Sequence, residues 1–189
     1  MIKLKLWLGV SAVLLAACGT TTAASVATTT SSASGGTTST SKAPSTSTTV
    51  GAAHVGATEI VNDGSGHSYS VQVVSVVDPA TPADQFNTPS AGKRLVAVNL
   101  TLTNKSNAII QDDADSTTTV IGSDNQTYQS SIDSVTGCTD FNSGQFTLTA
   151  GGTSSGCVVF SIPLAVKVAK VEFQPTSFTS TVVATWLVP

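Results

Sequence analysis

The stretch KRLVAVNLTLTN, residues 93–104, constrains the fold of this chain more than any other. Apolar residues occupy every second position and smaller or polar residues stand between them: Val96, Val98, Leu100 and Leu102 against Ala97, Asn99, Thr101 and Thr103. Successive side chains of a β-strand point to opposite faces, whereas a helix repeats about every 3.6 residues. The stretch therefore predicts a strand with one face in a core and the other in water.

Further runs rich in Val, Thr, Ile and aromatic residues follow the same pattern, and Gly, Pro, Asp and Asn separate them. These runs are residues 66–77, 116–123, 145–150, 154–163, 169–175 and 180–188. In GSDNQTY, residues 122–128, Asp124 and Asn125 stand where a tight hairpin turn is expected. Seven to nine short strands and no amphipathic helical stripe predict an all-β fold, an antiparallel β-sandwich. We expect six residues to lie between its two sheets: Val96, Val98, Leu100, Val158, Phe160 and Phe173.

The first 17 residues predict a secretory signal peptide. Lys3 and Lys5 precede a twelve-residue apolar run, which is shorter than the about 20 residues that a membrane-spanning helix needs. The run ends in Leu15-Ala16-Ala17-Cys18, which resembles the bacterial lipobox, in which the cysteine carries diacylglycerol after cleavage. The resemblance implies lipid attachment at Cys18 and a location outside the cytoplasm, on the outer face of the cell membrane. The alternative is an ordinary signal peptide with an accidental cysteine.

Residues 18–56 predict a lipid-anchored, disordered linker. Between Gly19 and Val50, 20 of the 32 residues are Ser or Thr, and Lys42 carries the only charge. Such a segment cannot bury enough apolar surface to offset its conformational entropy. We expect a tether with a span of roughly 30 Å, either bare or carrying O-linked sugar.

Residues 57–189 are long enough for one domain with its own core. Residues 76–79, 91–104, 122–128 and 148–163 resemble a bacterial family of immunoglobulin-like domains of unknown function, which occur on secreted proteins and lipoproteins. The family is similar to a small immunogenic antigen secreted by mycobacteria. The motif positions that match are Gly92, Lys93, Arg94, Asn104, Leu148, Gly151, Gly156, Val158, Phe160 and Pro163. The resemblance implies an immunoglobulin-like sandwich and supplies no catalytic residue.

Cys138 and Cys157 are the two cysteines that accompany Cys18. Outside the cytoplasm, two cysteines in one domain predict a disulfide. They are too close in sequence for the inter-sheet bridge of antibody domains, and no Trp lies between them. Because Cys157 alternates with Val158 and Phe160, it points away from the face that carries Phe160. We therefore expect the bridge to hold residues 131–144 across the outer surface of a sheet.

One short motif imitates a catalytic site. GTSSG, residues 152–156, matches the nucleophile elbow of hydrolases and would make Ser154 the nucleophile. That elbow requires a strand, a helix and a later histidine, but here a loop precedes a strand and both His54 and His67 lie upstream. A serine without a base in reach is inert, so we expect no enzymatic activity.

The densest charge run is QDDADS, residues 111–116. Asp113 and Asp115 alternate as calcium ligands often do, but the glycine and the distal glutamate of an EF-type loop are missing. A weak cation site within Asp112–Asp115 and a solvated acidic loop therefore both remain open. The few His, Cys and Met residues predict neither a transition metal nor another cofactor.

The charge of the chain argues against nucleic acid as a partner. The net charge is −3, and removing residues 1–17 with Lys3 and Lys5 leaves 6 basic and 11 acidic residues, a net of −5. The sequence thus predicts a membrane-anchored lipoprotein whose domain binds or displays to an unidentified envelope or extracellular partner. Loops 78–89 and 111–116 are candidate binding surfaces, since sandwiches carry function at their ends. A cell-envelope enzyme or enzyme accessory and a purely structural spacer are the alternatives.

Overall fold

The computed structural model describes residues 51–175 and 182–189. The predicted signal peptide, Cys18 and all but the end of the predicted linker lie outside the described residues. Within the described residues, no helix is long and apolar enough to cross a membrane.

The described chain forms short and long strands and two helical turns. In chain order the strands are β1 (Ala53–His54), β2 (Thr58–Asn62), β3 (Ser68–Ala80), β4 (Lys93–Asn104), β5 (Ile110–Asp113), β6 (Thr118–Gly122), β7 (Thr127–Tyr128), β8 (Gln145–Leu148), β9 (Thr153–Pro163), β10 (Val168–Phe173) and β11 (Ala184–Leu187). A 3₁₀ turn, Gln85–Asn87, lies between β3 and β4. One turn of α-helix, α1 (Ala114–Thr117), lies between β5 and β6.

The strands form two sheets and one additional pair. The strand order is β1-β11-β10-β6-β7 in one sheet and β2-β3-β4-β9 in the other, and β5 pairs with β8. All of these pairs are antiparallel except β1 with β11. Nine of the described strands have four or more residues, and β1 and β7 have two each. The predicted all-β antiparallel sandwich is confirmed.

The main core lies between the sheets. All six residues predicted for it belong to one buried cluster and are at most 1% exposed: Val96, Val98, Leu100, Val158, Phe160 and Phe173. Trp186 of β11 is fully buried with them, and its indole nitrogen donates to the carbonyl of Ala57 at 3.0 Å. The apolar faces of the alternating strands therefore meet as their sequence pattern predicts.

The predicted tight hairpin at residues 122–128 joins β6 and β7. Asn125 has a φ of 60°, in the left-handed region that Asn tolerates better than most residues. The amide of Gly122 donates to the carbonyl of Gln126 at 2.9 Å and closes the turn. The prediction of a turn at Asp124 and Asn125 is confirmed.

The polar face predicted for β4 is wet only over part of its length. Leu95 and Ala97 are at most 3% exposed and form a second apolar cluster, separate from the main core, with residues of β3 and β9 and of the loop before β8. Its members are Ala80, Leu95, Ala97, Val135, Cys157 and Val159, with Cys138 packed against them. The prediction that Ala97 faces water is wrong because loops fold over this end of the outer face.

Neither predicted binding loop has the bounds that the sequence indicated. Residues 78–80 belong to β3, so the loop that follows is 81–92. Residues 111–116 are not a loop, since they form the end of β5 and most of α1. Ile110 and Ala114 are fully buried and hold this acidic segment against the core, and Asp113 caps α1 by accepting from the amide of Ser116 at 3.0 Å.

Candidate functional site

Two loops pair with each other over the outer face of the β2-β3-β4-β9 sheet. They are residues 81–92 and residues 129–144, and we call them the paired loops. The amide of Ala83 donates to the carbonyl of Ser134 at 3.0 Å, and the amide of Thr136 donates to the carbonyl of Thr81 at 2.8 Å. The amide of Ser134 also donates to the Asn87 side chain at 2.7 Å. These bonds make one surface from segments about 50 residues apart in the chain.

The second loop is attached to the edge of the sheet as well as to its outer face. The amide of Ser131 donates to the carbonyl of Val159 at 2.7 Å, and the amide of Cys157 donates to the carbonyl of Thr139 at 2.9 Å. Cys138 and Cys157 lie at disulfide-bonding distance, with their Cα atoms 5.8 Å apart. Cys157 is buried in the second cluster, on the opposite face of β9 from Phe160. The predicted placement of the cysteine pair outside the main core is thus confirmed.

A cavity of about 420 Å³ opens under residues 129–144. Its walls combine carboxylates, serine hydroxyls and apolar side chains with the cysteine pair. The lining residues are Asp115, Ser131, Ile132, Asp133, Ser134, Val135, Cys138, Asp140, Ser143, Cys157 and Val159. Apolar walls with a few convergent polar groups are typical of ligand pockets.

The carboxylates of this cavity differ in how they are held. Asp140 accepts from the amides of Ser143 at 2.8 Å and Gly144 at 3.1 Å, and Asp133 accepts from the hydroxyl of Ser131. Asp115 accepts no hydrogen bond from any described residue. Partial burial raises the pKa of Asp115, and repulsion from Asp140 and Asp113 raises it further. The ionised Asp115 side chain is therefore held in an unfavourable site.

The paired loops also display two apolar side chains to solvent. Phe86 is 85% exposed in the 3₁₀ turn, and Ile132 is fully exposed in the second loop. Asp84 begins that turn by accepting from the amide of Phe86 at 2.8 Å, and this bond together with others to Asn87 lowers the pKa of Asp84. The backbone of Phe86 is thus fixed although its ring is free.

A second opening of about 460 Å³ lies where β10 begins and β11 ends. It is lined mainly by valines, with Lys167 and Asp78 among its polar residues. The carboxylate of Asp78 is already bound by the guanidinium of Arg94. The cavity under the paired loops is therefore the one that presents several carboxylates to a ligand.

The residues that sequence reasoning tested for catalysis are not brought together. Ser154 lies in β9, His54 lies in β1 of the other sheet, and His67 precedes β3. Among the described residues, no histidine makes a hydrogen bond with Ser154.

Sequence reasoning missed a Ser-His-Asp grouping in the turn between β2 and β3. Asp63 is 2% exposed and accepts from the hydroxyl of Ser65 at 2.6 Å, while Nδ1 of His67 lies 2.7 Å from the same carboxylate oxygen. Burial by itself raises the pKa of Asp63, but the bonds from Ser65 and His67 outweigh it and leave a lowered pKa. In a catalytic triad, the serine bonds the ring nitrogen opposite the one that faces the aspartate. Here both residues meet Nδ1, so the group closes a turn. The spacing in DGSGH, residues 63–67, is the signal that could have revealed it.

The acidic segment Asp112–Asp115 offers no metal cage in the part of the chain that the structure describes. No group of three or more His, Cys, Asp or Glu residues there is placed to hold a metal ion. Asp112 accepts from the hydroxyl of Tyr69 at 3.2 Å, and Asp113 caps α1. The two open interpretations of this segment are thus joined by a third, in which two of its carboxylates support the fold.

The motif residues that carried the family resemblance hold the sandwich together. Arg94 binds the carboxylate of Asp78 through two of its nitrogens and also donates to the carbonyls of Pro163 at 2.7 Å and Val166 at 2.8 Å. Asn104 is fully buried and donates to the carbonyl of Leu148 at 3.0 Å. These motif residues therefore explain the fold, and a ligand must be recognised by other residues.

A second motif position, Gly156, is required by packing. A Cβ atom at Gly156 would lie 2.7 Å from the ring of Phe141, closer than real Cβ contacts allow. Phe141 belongs to the main core and stands between the second paired loop and β9. Glycine at this position lets that loop approach the sheet closely.

Comparison with known proteins agrees with this architecture. The family model described as a domain of unknown function (DUF4352) matches residues 55–183, which confirms the resemblance inferred from the motifs. Three solved structures are similar over 72% of this chain. The yjhA protein from Bacillus subtilis has 12% identity and a TM-score of 0.51 over 99% of its length. The secreted protein MPT63 from Mycobacterium tuberculosis has 12% identity and a TM-score of 0.49 over 95% of its length.

The third structure is an uncharacterized β-sandwich protein from Clostridium difficile 630, with 11% identity and a TM-score of 0.39 over 93% of its length. At such identities, the likeness to the Bacillus protein is a likeness of fold alone. No curated protein has significant sequence similarity to this chain.

Proposed function

Because this chain belongs to the DUF4352 family of domains of unknown function, its role must be inferred from its own residues, and we propose that it is an extracytoplasmic lipoprotein whose sandwich binds a partner through the paired loops. Lipid on Cys18 holds the protein at the outer face of the cell membrane, and residues 18–56 act as the tether. The domain itself performs no catalysis.

The observation that carries this proposal is the attachment of the paired loops. Backbone hydrogen bonds, the cysteine pair and a separate apolar cluster hold them against the sheet. Ordering this backbone costs about 1–2 kcal/mol per residue, yet the loops leave Phe86 and Ile132 in solvent. A fixed loop surface that displays apolar side chains beside a cavity is a feature of binding sites.

The same surface weighs against the two alternatives. A purely structural spacer has no need of an exposed apolar pair beside a cavity with three carboxylates. An enzyme needs a nucleophile with a base in reach, and the hydrogen bonds of Ser154 and of the Asp63–His67 turn supply no such pair among the described residues. A cysteine pair at bonding distance also favours an oxidising compartment outside the cytoplasm.

The anchor is tested by replacing Cys18. The Cys18→Ala variant is expected to move from the membrane fraction to the soluble fraction, or to keep its signal peptide, because no lipid can be attached. Leu15→Ala, which leaves the cysteine in place, serves as the partner variant and should reduce processing less. If Cys18→Ala sediments with membranes as the parent protein does, the anchor is wrong.

The binding role is tested with the full chain immobilised through its C-terminus. Envelope proteins retained by the parent chain should be lost when Phe86 and Ile132 are both changed to Ser. They should be kept when Ile109, another exposed apolar residue away from the paired loops, is changed to Ser. Covalent labelling of Ser154 by a fluorophosphonate would instead favour an enzyme.

A further inference from the structure

The paired loops and the adjacent acidic segment 111–116 carry charge of one sign. Together these three segments hold six of the 11 acidic residues of the chain and none of its Lys or Arg residues. The six are Asp84, Asp112, Asp113, Asp115, Asp133 and Asp140. The acidic segment adjoins the second loop because the amide of Ala114 donates to the carbonyl of Gly144 at 2.7 Å. The resulting surface attracts cations and repels anions.

Within this surface, Asp115 lacks a partner that its neighbours have. Asp113, Asp133 and Asp140 each accept hydrogen bonds from described residues. Asp115 lines the cavity, is partly buried, and receives neither a hydrogen bond nor an ion pair from the described part of the chain. A cationic donor placed in the cavity would both satisfy this carboxylate and offset its repulsion from Asp140.

The exposed apolar residues lie at the same place. Phe86 precedes Asn87, whose side chain accepts from the amide of Ser134, and Ile132 lies two residues before Ser134. Ile132 also lines the cavity. An occupant of the cavity therefore meets apolar side chains at its rim, and both kinds of contact are available to one ligand.

We propose that the paired loops bind a basic polypeptide segment that also carries apolar side chains. A Lys or Arg of that segment enters the cavity and donates to Asp115, and its apolar side chains cover Phe86 and Ile132. This inference rests on the binding role proposed above and names the chemistry of the partner. An anionic membrane surface or a nucleic acid would be repelled by these carboxylates, and a second copy would bring a loop surface of the same charge.

The test uses synthetic peptides and the full chain with Cys18→Ala, which carries no lipid. Four fluorescent peptides of about 12 residues are titrated by anisotropy: Lys with Leu, Lys with Ser, Glu with Leu, and Ser with Leu. The Lys/Leu peptide is expected to bind, and each of the others is expected to bind at least about tenfold more weakly, since each lacks one of the two contacts.

Matched variants locate the binding surface. Asp115→Asn and Phe86→Ser are each expected to weaken Lys/Leu binding about tenfold, the effect of one charge-assisted hydrogen bond or one covered aromatic side chain. Glu59→Gln and Ile60→Ser remove one charge and one partly exposed apolar side chain from β2, at the opposite edge of the sheet. These two controls are expected to bind as the parent chain does.

Thermal stability separates a binding role of Asp115 from a structural one. Since the pKa of Asp115 is raised in the folded state, its ionised form destabilises the fold at neutral pH. Asp115→Asn should therefore keep or raise the melting temperature while it weakens peptide binding. Raising NaCl from about 0.05 to about 0.3 M should weaken binding of the parent chain more than that of Asp115→Asn.

Several results would overturn the proposal. These are no binding of the Lys/Leu peptide, equal binding by the Asp115→Asn and Glu59→Gln variants, and tighter binding of the Glu/Leu peptide. Binding to phosphatidylglycerol vesicles that depends on Phe86 would replace the peptide by a membrane, and dimerisation that depends on Phe86 would replace it by a second copy. If these peptides fail while envelope proteins are still retained through Phe86 and Ile132, the binding role stands and the partner chemistry is wrong.

Discussion

Reduction of the Cys138–Cys157 pair is expected to loosen the paired loops while the sandwich stays folded. The two cysteines are separated by 19 residues in the sequence. A loop of that length gives a stabilisation of about 3 kcal/mol in the chain-entropy model. Small domains unfold with free energies of about 5–15 kcal/mol, so the reduced domain should remain folded with a lower denaturation midpoint.

The position of the pair determines where the loosening is seen. Cys157 packs in the second apolar cluster with Val135 and Val159, while Phe160 beside it packs in the main core. Once the covalent link is lost, backbone hydrogen bonds worth about 0.5–1.5 kcal/mol each and this small cluster alone hold the loops. The amides of Ala83 and Thr136, which donate between the loops, should then exchange faster.

Hydrogen exchange measured amide by amide is the suitable assay. The chain carries Cys18→Ala, so that no third thiol exchanges with the pair, and is compared with and without dithiothreitol. The double variant Cys138→Ala and Cys157→Ala should match the reduced chain. Amides in the centre of β4, such as that of Val98, should stay protected in every case.

Two results would refute this reasoning. If mild reduction exposes the amides of β4 and of the paired loops together, the second cluster unfolds as one unit with the main core. If reduction changes no amide of the paired loops, their hydrogen bonds suffice and the cysteine pair does not fasten them.

Four further predictions concern stability. Phe160→Ala should cost about 3–5 kcal/mol in urea unfolding, whereas Phe86→Ala, at a side chain that is 85% exposed, should cost less than about 0.5 kcal/mol. Arg94→Lys should cost about 1–3 kcal/mol by calorimetry, because an ammonium group cannot reach the carboxylate and two carbonyls together. Thr118→Val should be neutral or stabilise by about 1 kcal/mol in the same measurement, since the buried hydroxyl of Thr118 has no hydrogen-bond partner. The pKa of Asp63 is lowered from 3.8, so its contribution is present above that pH and is lost as the pH falls through the folded value, and Asp63→Asn should remove that dependence from an acid titration of stability.

Local pattern was sufficient wherever a property depends on neighbours in the sequence. The alternation in residues 93–104 predicted the strand β4 and its inner face, since the side chains of a strand alternate whatever it pairs with. The same parity placed Cys157 opposite Phe160 before any pairing was known. Asp124 and Asn125 predicted a turn because the backbone of Asn tolerates positive φ.

Other features depend on long-range contacts and had no such signal. Ala97 was expected in water and lies in the second cluster, because residues 129–144 fold back over β4 from outside the sheet. The acidic segment 111–116 was expected to be a loop, but burial of Ile110 and Ala114 anchors it in β5 and α1.

The sequence by itself determined the strands, their inner faces, the turn and the position of the cysteine pair relative to the core, because each follows from residues a few positions apart. Only the tertiary structure decided that residues 81–92 and 129–144 pair, that Phe86 and Ile132 come to one surface, and that Asp115 lines a cavity there. These arrangements depend on which outer face the loops cover. That choice is made by contacts between segments far apart in the chain, which no local period records.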